Sequence, residues 1–143
     1  KIMKIPNHLS HKPILKLEDY SKLDGRFANQ TDAEGLSIGL AQWSNATEMD
    51  LSAKVWRYTG KKWSRQSEEL PLHRVLDLAS LLCAAMSYVK TGDLPDDKSF
   101  PLTWAENSEL MDILKEGIAK ENKNGDLDKS LNRLSEYIKD LRY

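Results

Sequence analysis

Alternating apolar and polar positions predict a small sheet in the middle of the chain. Every second residue is aliphatic from Leu36 to Leu40, and the same alternation returns from Leu51 to Val55. A period of two is typical of a strand with one apolar face. Gly60-Lys61 then separates the second run from a third at Lys62–Glu68, which predicts a β-hairpin. The three strands together predict an antiparallel meander.

An apolar helix is predicted directly after the hairpin, beginning at Pro71. Apolar residues occupy nearly every face from Leu72 to Val89, so we expect a central helix that packs on several sides. Cys83, the single cysteine, falls in this stretch and is expected to be a buried, unreactive thiol. One cysteine excludes an internal disulfide and fits a reducing cytoplasm.

Two further amphipathic helices are predicted in residues 108–142, separated by Lys123-Asn124-Gly125 as a helical hairpin. Aliphatic residues in the last helix recur at alternating steps of four and three, which is a short heptad seam. The simplest partner of this 127–141 seam is the preceding helix, and a homodimer is the alternative. The seam consists of Leu127, Leu131, Leu134, Ile138 and Leu141.

The N-terminal residues 1–31 carry no clear periodicity and are expected to form a partly extended arm, with a turn at Asp24-Gly25. The length of 143 residues fits a single domain, 1–143. The predicted fold is therefore α+β: a small antiparallel β-meander packed on a central apolar helix, with a C-terminal helical hairpin.

Charge is distributed unevenly along the chain, although the net charge is only −1. Residues 51–67 contain five cations and no acid, which leaves 16 cations against 22 acids elsewhere. This balance disfavours nucleic acid as the main partner but is compatible with a local anion site. We find no uninterrupted apolar run of about 18 residues, so we expect no membrane span and a cytoplasmic protein.

The hairpin at residues 51–67 is a candidate binding face because it mixes aromatic rings with cations. Single-stranded nucleic-acid binders use such a face to stack bases and neutralise phosphates. The same residues also serve to cover a core helix, which is the favoured interpretation because the apolar helix needs a large partner surface. A two-residue turn would pair Tyr58 with Trp63, Trp56 with Arg65, and Lys54 with Ser67.

The beginning of the apolar helix is a second candidate site. His73 lies four residues before Asp77 and four after Glu69, although Glu69 precedes Pro71 and need not share their face. In the enzymatic alternative, His73 is a general base that Glu69 or Asp77 orients. Arginines that could hold an anionic substrate group are Arg57, Arg65 and Arg74. No third metal ligand stands at a known spacing, so neither a metal nor a cofactor is predicted.

A structural role for the same charges is the favoured alternative. In an enclosed helix, Arg74 and Asp77 would need partners, and an ion pair three residues apart supplies one. Arg57 would meet Glu68 or Asp77 and fix the angle between sheet and helix. These charges would then form a buried network rather than a catalytic site.

One segment resembles a known family. The block W-S-R-Q-S-E-E-L-P-L-H-R-V-L-D-L, Trp63 to Leu78, is similar to the central segment of a small bacterial family known only as a domain of unknown function. The resemblance extends from about Lys12 to Gly92. It implies a bacterial cytoplasmic protein and brings no activity, cofactor or catalytic residue.

No motif in the chain specifies a reaction. The leading prediction is a non-enzymatic binding or interaction module. The alternatives are a small hydrolase centred on His73, and weak single-stranded nucleic-acid binding by the hairpin 51–67. The candidate binding residues are Trp56, Arg57, Trp63, Arg65, Glu68 and Arg74.

Overall fold

The computed structural model describes residues 2–143 and divides the chain into two compact units, Lys1–Ala79 and Ser80–Tyr143. The α+β prediction is confirmed, because a four-stranded antiparallel sheet is followed by a central helix and a C-terminal helical hairpin. One domain over residues 1–143 stays a prediction. The elements are β1 (Lys12–Leu17), β2 (Ala33–Leu40), β3 (Leu51–Arg57), β4 (Glu69–Pro71), α1 (Leu72–Thr91), α2 (Ser108–Glu121) and α3 (Asp126–Asp140).

The sheet is a meander in the order β1-β2-β3-β4, with every neighbouring pair antiparallel. Strand β1 lies at the edge of the sheet, within the segment predicted as an arm. Its side chains Ile14 and Leu15 are both exposed. An edge strand of this kind has no alternation between buried and exposed positions, so the sequence pattern did not indicate it.

The small-residue face of β2 is the more deeply buried one. Residues 33, 35, 37, 39 and 41 are buried, whereas the larger residues between them are only partly covered. A Cβ at Gly39 would clash with the backbone carbonyl of Lys12, and a Cβ at Gly35 would lie 2.6 Å from Cδ1 of Ile5. The N-terminal residues therefore approach the sheet closely because β2 presents small residues to them.

The hairpin after β3 turns as predicted but returns in a different register. Tyr58 pairs with Trp63, which confirms the turn. Lys54 pairs with Glu69, so the prediction of Ser67 opposite Lys54 is wrong. A local turn absorbs the two additional residues, since the Ser67 hydroxyl donates to the carbonyl of residue 64 over 3.0 Å. Glu69 therefore lies in β4, directly after the run Lys62–Glu68 that was predicted as the third strand.

Helix α1 has one buried residue, Ala84. Cys83 is exposed, so the prediction of a buried thiol is wrong. A helix with apolar residues on every face gives no periodic signal for which side is covered. By length and composition alone, α1 is long and apolar enough to cross a membrane, with a mean hydropathy of 1.3. Core helices of soluble proteins pass the same test but are mostly buried, whereas 6% of this window is buried. The expectation that the chain has no membrane span stays a prediction.

The C-terminal unit contains the two helices predicted in residues 108–142. The side chain of Asn107 caps α2, accepting hydrogen bonds from the backbone N–H groups of residues 109 and 110. Gly125 precedes α3 with a φ of 75°, which glycine adopts without strain. Seam residue Leu141 is 68% exposed. The partner of the seam stays a prediction.

Candidate functional site

A buried polar cluster joins the N-terminal arm to the sheet. His11, directly before β1, is 2% exposed. Its Nε2 lies 2.9 Å from Oγ of Ser37 on β2, and its Nδ1 lies 2.9 Å from Oγ of Ser52 on β3. The same Nδ1 is 3.2 Å from Oε2 of Glu69 on β4. We call these four residues the His11 cluster.

One arrangement of hydrogens satisfies the ring and both hydroxyls of this cluster. The Trp56 indole N–H donates to Oγ of Ser37 over 2.8 Å, which leaves the Ser37 hydroxyl to donate to Nε2 of His11. The Ser52 hydroxyl donates to Oε2 of Glu69 over 2.7 Å, so Nδ1 of His11 carries the other proton. This arrangement requires a neutral imidazole.

The electrostatics of the cluster agree with that protonation state. Burial lowers the pKa of His11, although the neighbouring carboxylate of Glu69 opposes the shift. Burial would raise the pKa of Glu69, but hydrogen bonds from Ser52, from the backbone of Gln42 and from His11 outweigh it, so the pKa is lowered. A neutral histidine thus lies beside an ionised carboxylate.

Lys54 connects the His11 cluster to the aromatic residues of the hairpin. Its ammonium lies 4.6 Å from the centre of the Trp56 ring and 4.0 Å from Oε1 of Glu69. Among the described residues, Oε1 has no hydrogen-bond partner. Burial lowers the pKa of Lys54, opposed by the charges of Glu69 and Glu68. The Lys54–Glu69 pair is therefore a loose ion pair rather than a hydrogen-bonded one.

The aromatic rings of the hairpin pack edge to face. Trp56, which is 1% exposed, contacts His11 at 5.8 Å and Trp63 at 5.6 Å between ring centres. Trp63 in turn contacts Tyr58 at 5.2 Å. Trp56 is buried, but its ring partners are His11 and Trp63, and the expectation that the hairpin rings cover the apolar helix stays a prediction. These contacts hold the rings against one another, and base stacking by the hairpin stays a prediction.

A cavity of about 740 Å³ opens beside Trp56 and His11. It is bounded on one side by residues 8–11 of the arm and on the other by the hairpin. No carboxylate is among its lining residues, whereas four basic side chains are: Lys54, Lys61, Lys62 and Arg65. We call this space the pocket. Basic side chains of one sign therefore dominate its lining.

The predicted site at the beginning of α1 is not assembled. His73, Arg74 and Asp77 are exposed, and none of them lines the pocket. Glu69, the predicted orienting carboxylate, instead belongs to the His11 cluster. The interpretation of a buried charge network around Arg74 and Asp77 is therefore wrong, because this end of α1 is not enclosed.

Arg57 does bind Glu68, as predicted. Its guanidinium donates to both carboxylate oxygens of Glu68 over 2.9 Å and to Asp32 over 2.6 Å. These hydrogen bonds lower the pKa of Glu68 and raise the pKa of Arg57. Asp77, the other predicted partner, is not involved in these bonds. The group is partly exposed and ties β3 to its neighbouring loops.

His11, Ser37 and Ser52 were missed as site residues by the sequence analysis. Two histidines in an aperiodic segment, His8 and His11, give no signal by themselves. The regular small residues on one face of β2 were the available signal, because they indicate that another chain segment approaches there. Among residues 2–143, no group of three or more His, Cys, Asp or Glu side chains could hold a metal ion.

The sequence model of a family of unknown function, DUF6530, matches residues 3–100. The chain belongs to this family. The DUF6530 match covers the pocket and the His11 cluster, and it extends past the range Lys12 to Gly92 at both ends. It includes the block Trp63 to Leu78, on which the resemblance was based. No curated protein and no solved structure matches the chain.

Proposed function

We propose that the sheet unit is a non-enzymatic binding module whose pocket takes an anionic ligand. The observation that carries the proposal is the charge of the lining, which contains four cations and no carboxylate. Clefts lined by one sign of charge concentrate ligands of the opposite sign. A volume of about 740 Å³ lies within the usual range for small-molecule sites.

The His11 cluster supports this proposal by making the pocket rigid. It ties the arm, which forms one side of the pocket, to strands β2, β3 and β4. A site that is already ordered loses less conformational freedom when its ligand binds. We therefore assign the buried polar residues to positioning the pocket.

A hydrolase is the less supported alternative. Ser37, His11 and Glu69 follow the order of a nucleophile, a base and an orienting acid. However, Ser37 is only 5% exposed, its hydroxyl also accepts the Trp56 N–H, and it does not line the pocket. A nucleophile must reach the substrate, so this geometry favours a structural cluster.

A self-association surface in the C-terminal unit is a second candidate function. On the 127–141 seam of α3, Ile138 and Leu141 are exposed. A second copy would cover them through heptad packing. Sedimentation velocity of the wild type and of Leu141→Glu tests this homodimer: a concentration-dependent dimer that the substitution dissociates supports it, and a monomeric wild type refutes it.

We also propose that the protein is bacterial, which the resemblance of residues 63–78 supports. We propose further that it resides in the cytoplasm, which the single cysteine supports.

Equilibrium affinities for small anions test the proposed anion binding directly. Isothermal titration with pyrophosphate and ATP at low and at physiological salt compares the wild type with Lys61→Glu/Lys62→Glu. The matched control is Lys115→Glu/Lys123→Glu, which changes the same charge on exposed residues of the C-terminal unit. Binding that weakens with salt and is lost only in the pocket variant supports the proposal. Wild-type protein that binds neither anion contradicts it.

A further inference from the structure

Lys54 is the deepest cation of the pocket. Its side chain is 11% exposed, whereas Lys61, Lys62 and Arg65 are all exposed. The cations therefore divide into one at the bottom and three around the opening. A ligand entering the pocket meets the outer charges first and Lys54 last.

The ammonium of Lys54 has three donors and, among the described residues, no acceptor within hydrogen-bond distance. Its contacts are the face of the Trp56 ring and Oε1 of Glu69, the latter at 4.0 Å. Glu69 accepts hydrogen bonds from the Ser52 hydroxyl and the Gln42 backbone N–H at its other oxygen, Oε2. A partly buried ammonium whose donors are unused is suited to an anionic group that enters the pocket.

The arrangement of charge restricts the chemical class of that group. Glu69 lies outside the lining and partly offsets Lys54 at 4.0 Å, but the three outer cations add charge that balances two or more negative charges better than one. A single deep cation favours a ligand with a terminal anion over a chain that runs across the surface. A phosphate monoester meets both conditions, since it carries between about −1.5 and −2 charges at neutral pH. The remaining volume accommodates a body of nucleotide size beside Tyr58 and Trp63.

We infer that the pocket binds a small phosphate monoester whose terminal phosphate is held by Lys54, while the outer cations attract it. The inference rests on the proposed anion-binding function and specifies its ligand. A phosphodiester chain lacks the terminal dianion and reaches only the outer cations.

The test compares two kinds of phosphate on three variants by isothermal titration at one salt concentration. Adenosine 5′-monophosphate is the monoester, and a short oligothymidine with hydroxyl ends is the phosphodiester. We expect Lys54→Met to weaken the affinity for the monoester by about 10- to 100-fold, the effect of losing a charged hydrogen bond. Lys61→Met removes the same charge from an exposed position and should weaken that affinity by less than about fivefold. Lys54→Arg should retain part of the affinity.

The outcomes separate the inference from the proposed function. If the monoester binds but Lys54→Met has no larger effect than Lys61→Met, the inference is refuted and the anion pocket stands. Oligothymidine binding at least as tightly as the monoester also refutes it. If neither probe nor ATP binds the wild type, the proposed function itself fails.

A second measurement applies if Lys54→Met does not fold, which a thermal melt would reveal. Quantitative amine labelling of the wild type compares the modification rates of Lys54 and Lys61 with and without adenosine 5′-monophosphate. The inference requires the ligand to protect Lys54 more strongly than Lys61, and equal or reversed protection refutes it.

Discussion

Two histidines with nearby carboxylates illustrate how differently the same residue types behave in this protein. His73 has Glu69 and Asp77 at helical spacing in the sequence, yet it lies exposed at the beginning of α1. His11 has no carboxylate near it in sequence, yet it contacts Glu69 across 58 positions of the chain. The sheet register decides which of the two acquires a partner.

The difference follows from where Glu69 is placed. The local turn after Trp63 moves Glu69 into β4, opposite Lys54 and beside Ser52. There the carboxylate points to the same side of the sheet as His11. Helical spacing therefore suggested Glu69 as a neighbour of His73, whereas strand pairing places Glu69 beside His11 instead.

The largest expected effect comes from replacing each histidine by alanine. His11→Ala leaves the buried hydroxyl of Ser37 and the Ser52–Glu69 pair without the imidazole, so the free energy of unfolding should fall by about 3 kcal/mol. His73→Ala changes an exposed side chain and should change the free energy of unfolding by about 0.5 kcal/mol or less. Urea denaturation measures the free energy of unfolding of both variants. Equal losses would contradict a buried, bonded His11 and an exposed His73.

The next largest effect is expected from neutralising the carboxylate near each histidine, Glu69 near His11 and Asp77 near His73. Glu69→Gln leaves Lys54 without its counter-charge in a partly buried position, and should cost about 2 kcal/mol. Asp77→Asn is the matched control on the exposed side of α1 and should cost less than about 0.5 kcal/mol. Chemical denaturation at neutral pH gives both values. A Glu69→Gln variant as stable as the wild type would show that the cluster does not depend on this charge.

Close approach of the arm to β2 is tested by adding one methyl group. Gly39→Ala forces the backbone of Lys12 away from the strand and should destabilise the protein by about 1–3 kcal/mol. Gly117→Ala in α2 meets no atom within 4 Å and should stabilise its helix by about 0.5–1 kcal/mol. Thermal melts distinguish the two signs. Stabilisation by Gly39→Ala would contradict the position of the arm.

The smallest expected effect is a pH dependence of stability. The pKa of folded His11 lies below its ordinary value of 6.5, so near that pH the unfolded chain binds more protons than the folded one. The free energy of unfolding should therefore decrease as the pH falls from 6.5 towards the folded pKa. The lowered pKa of Glu69 adds a decrease with the same sign at more acidic pH.

Urea midpoints between neutral and acidic pH measure this dependence. His11→Gln should flatten the slope just below pH 6.5, and His73→Gln is the control for removing a surface imidazole. A wild-type stability that rises on acidification through this range would contradict a neutral buried His11.

The sequence predicted the fold where periodicity is strong. The alternation in β2 and β3, the turn between Tyr58 and Trp63, and the helices in the C-terminal unit follow from local patterns. The edge strand β1 and the register of β4 could not be predicted, because an exposed edge has no alternating burial and a turn stabilised by serine side chains leaves the period unchanged.

The candidate site could be predicted only in part. The aromatic and cationic residues of the hairpin were identified, and they do line one pocket. His11 was not, because its partners Ser37, Ser52 and Glu69 come from three different strands. Contacts that depend on the pairing of distant segments leave no spacing that can be recognised in the sequence.

The measurement that tests the account most directly is the response of the four tryptophan indole N–H signals in a two-dimensional NMR titration with adenosine 5′-monophosphate. Trp56 and Trp63 line the pocket, whereas Trp43 and Trp104 do not. The account predicts that the signals of Trp56 and Trp63 shift with a common saturation curve while the other two stay unchanged. Saturable shifts confined to Trp43 or Trp104, or no saturable shift at all, would contradict it.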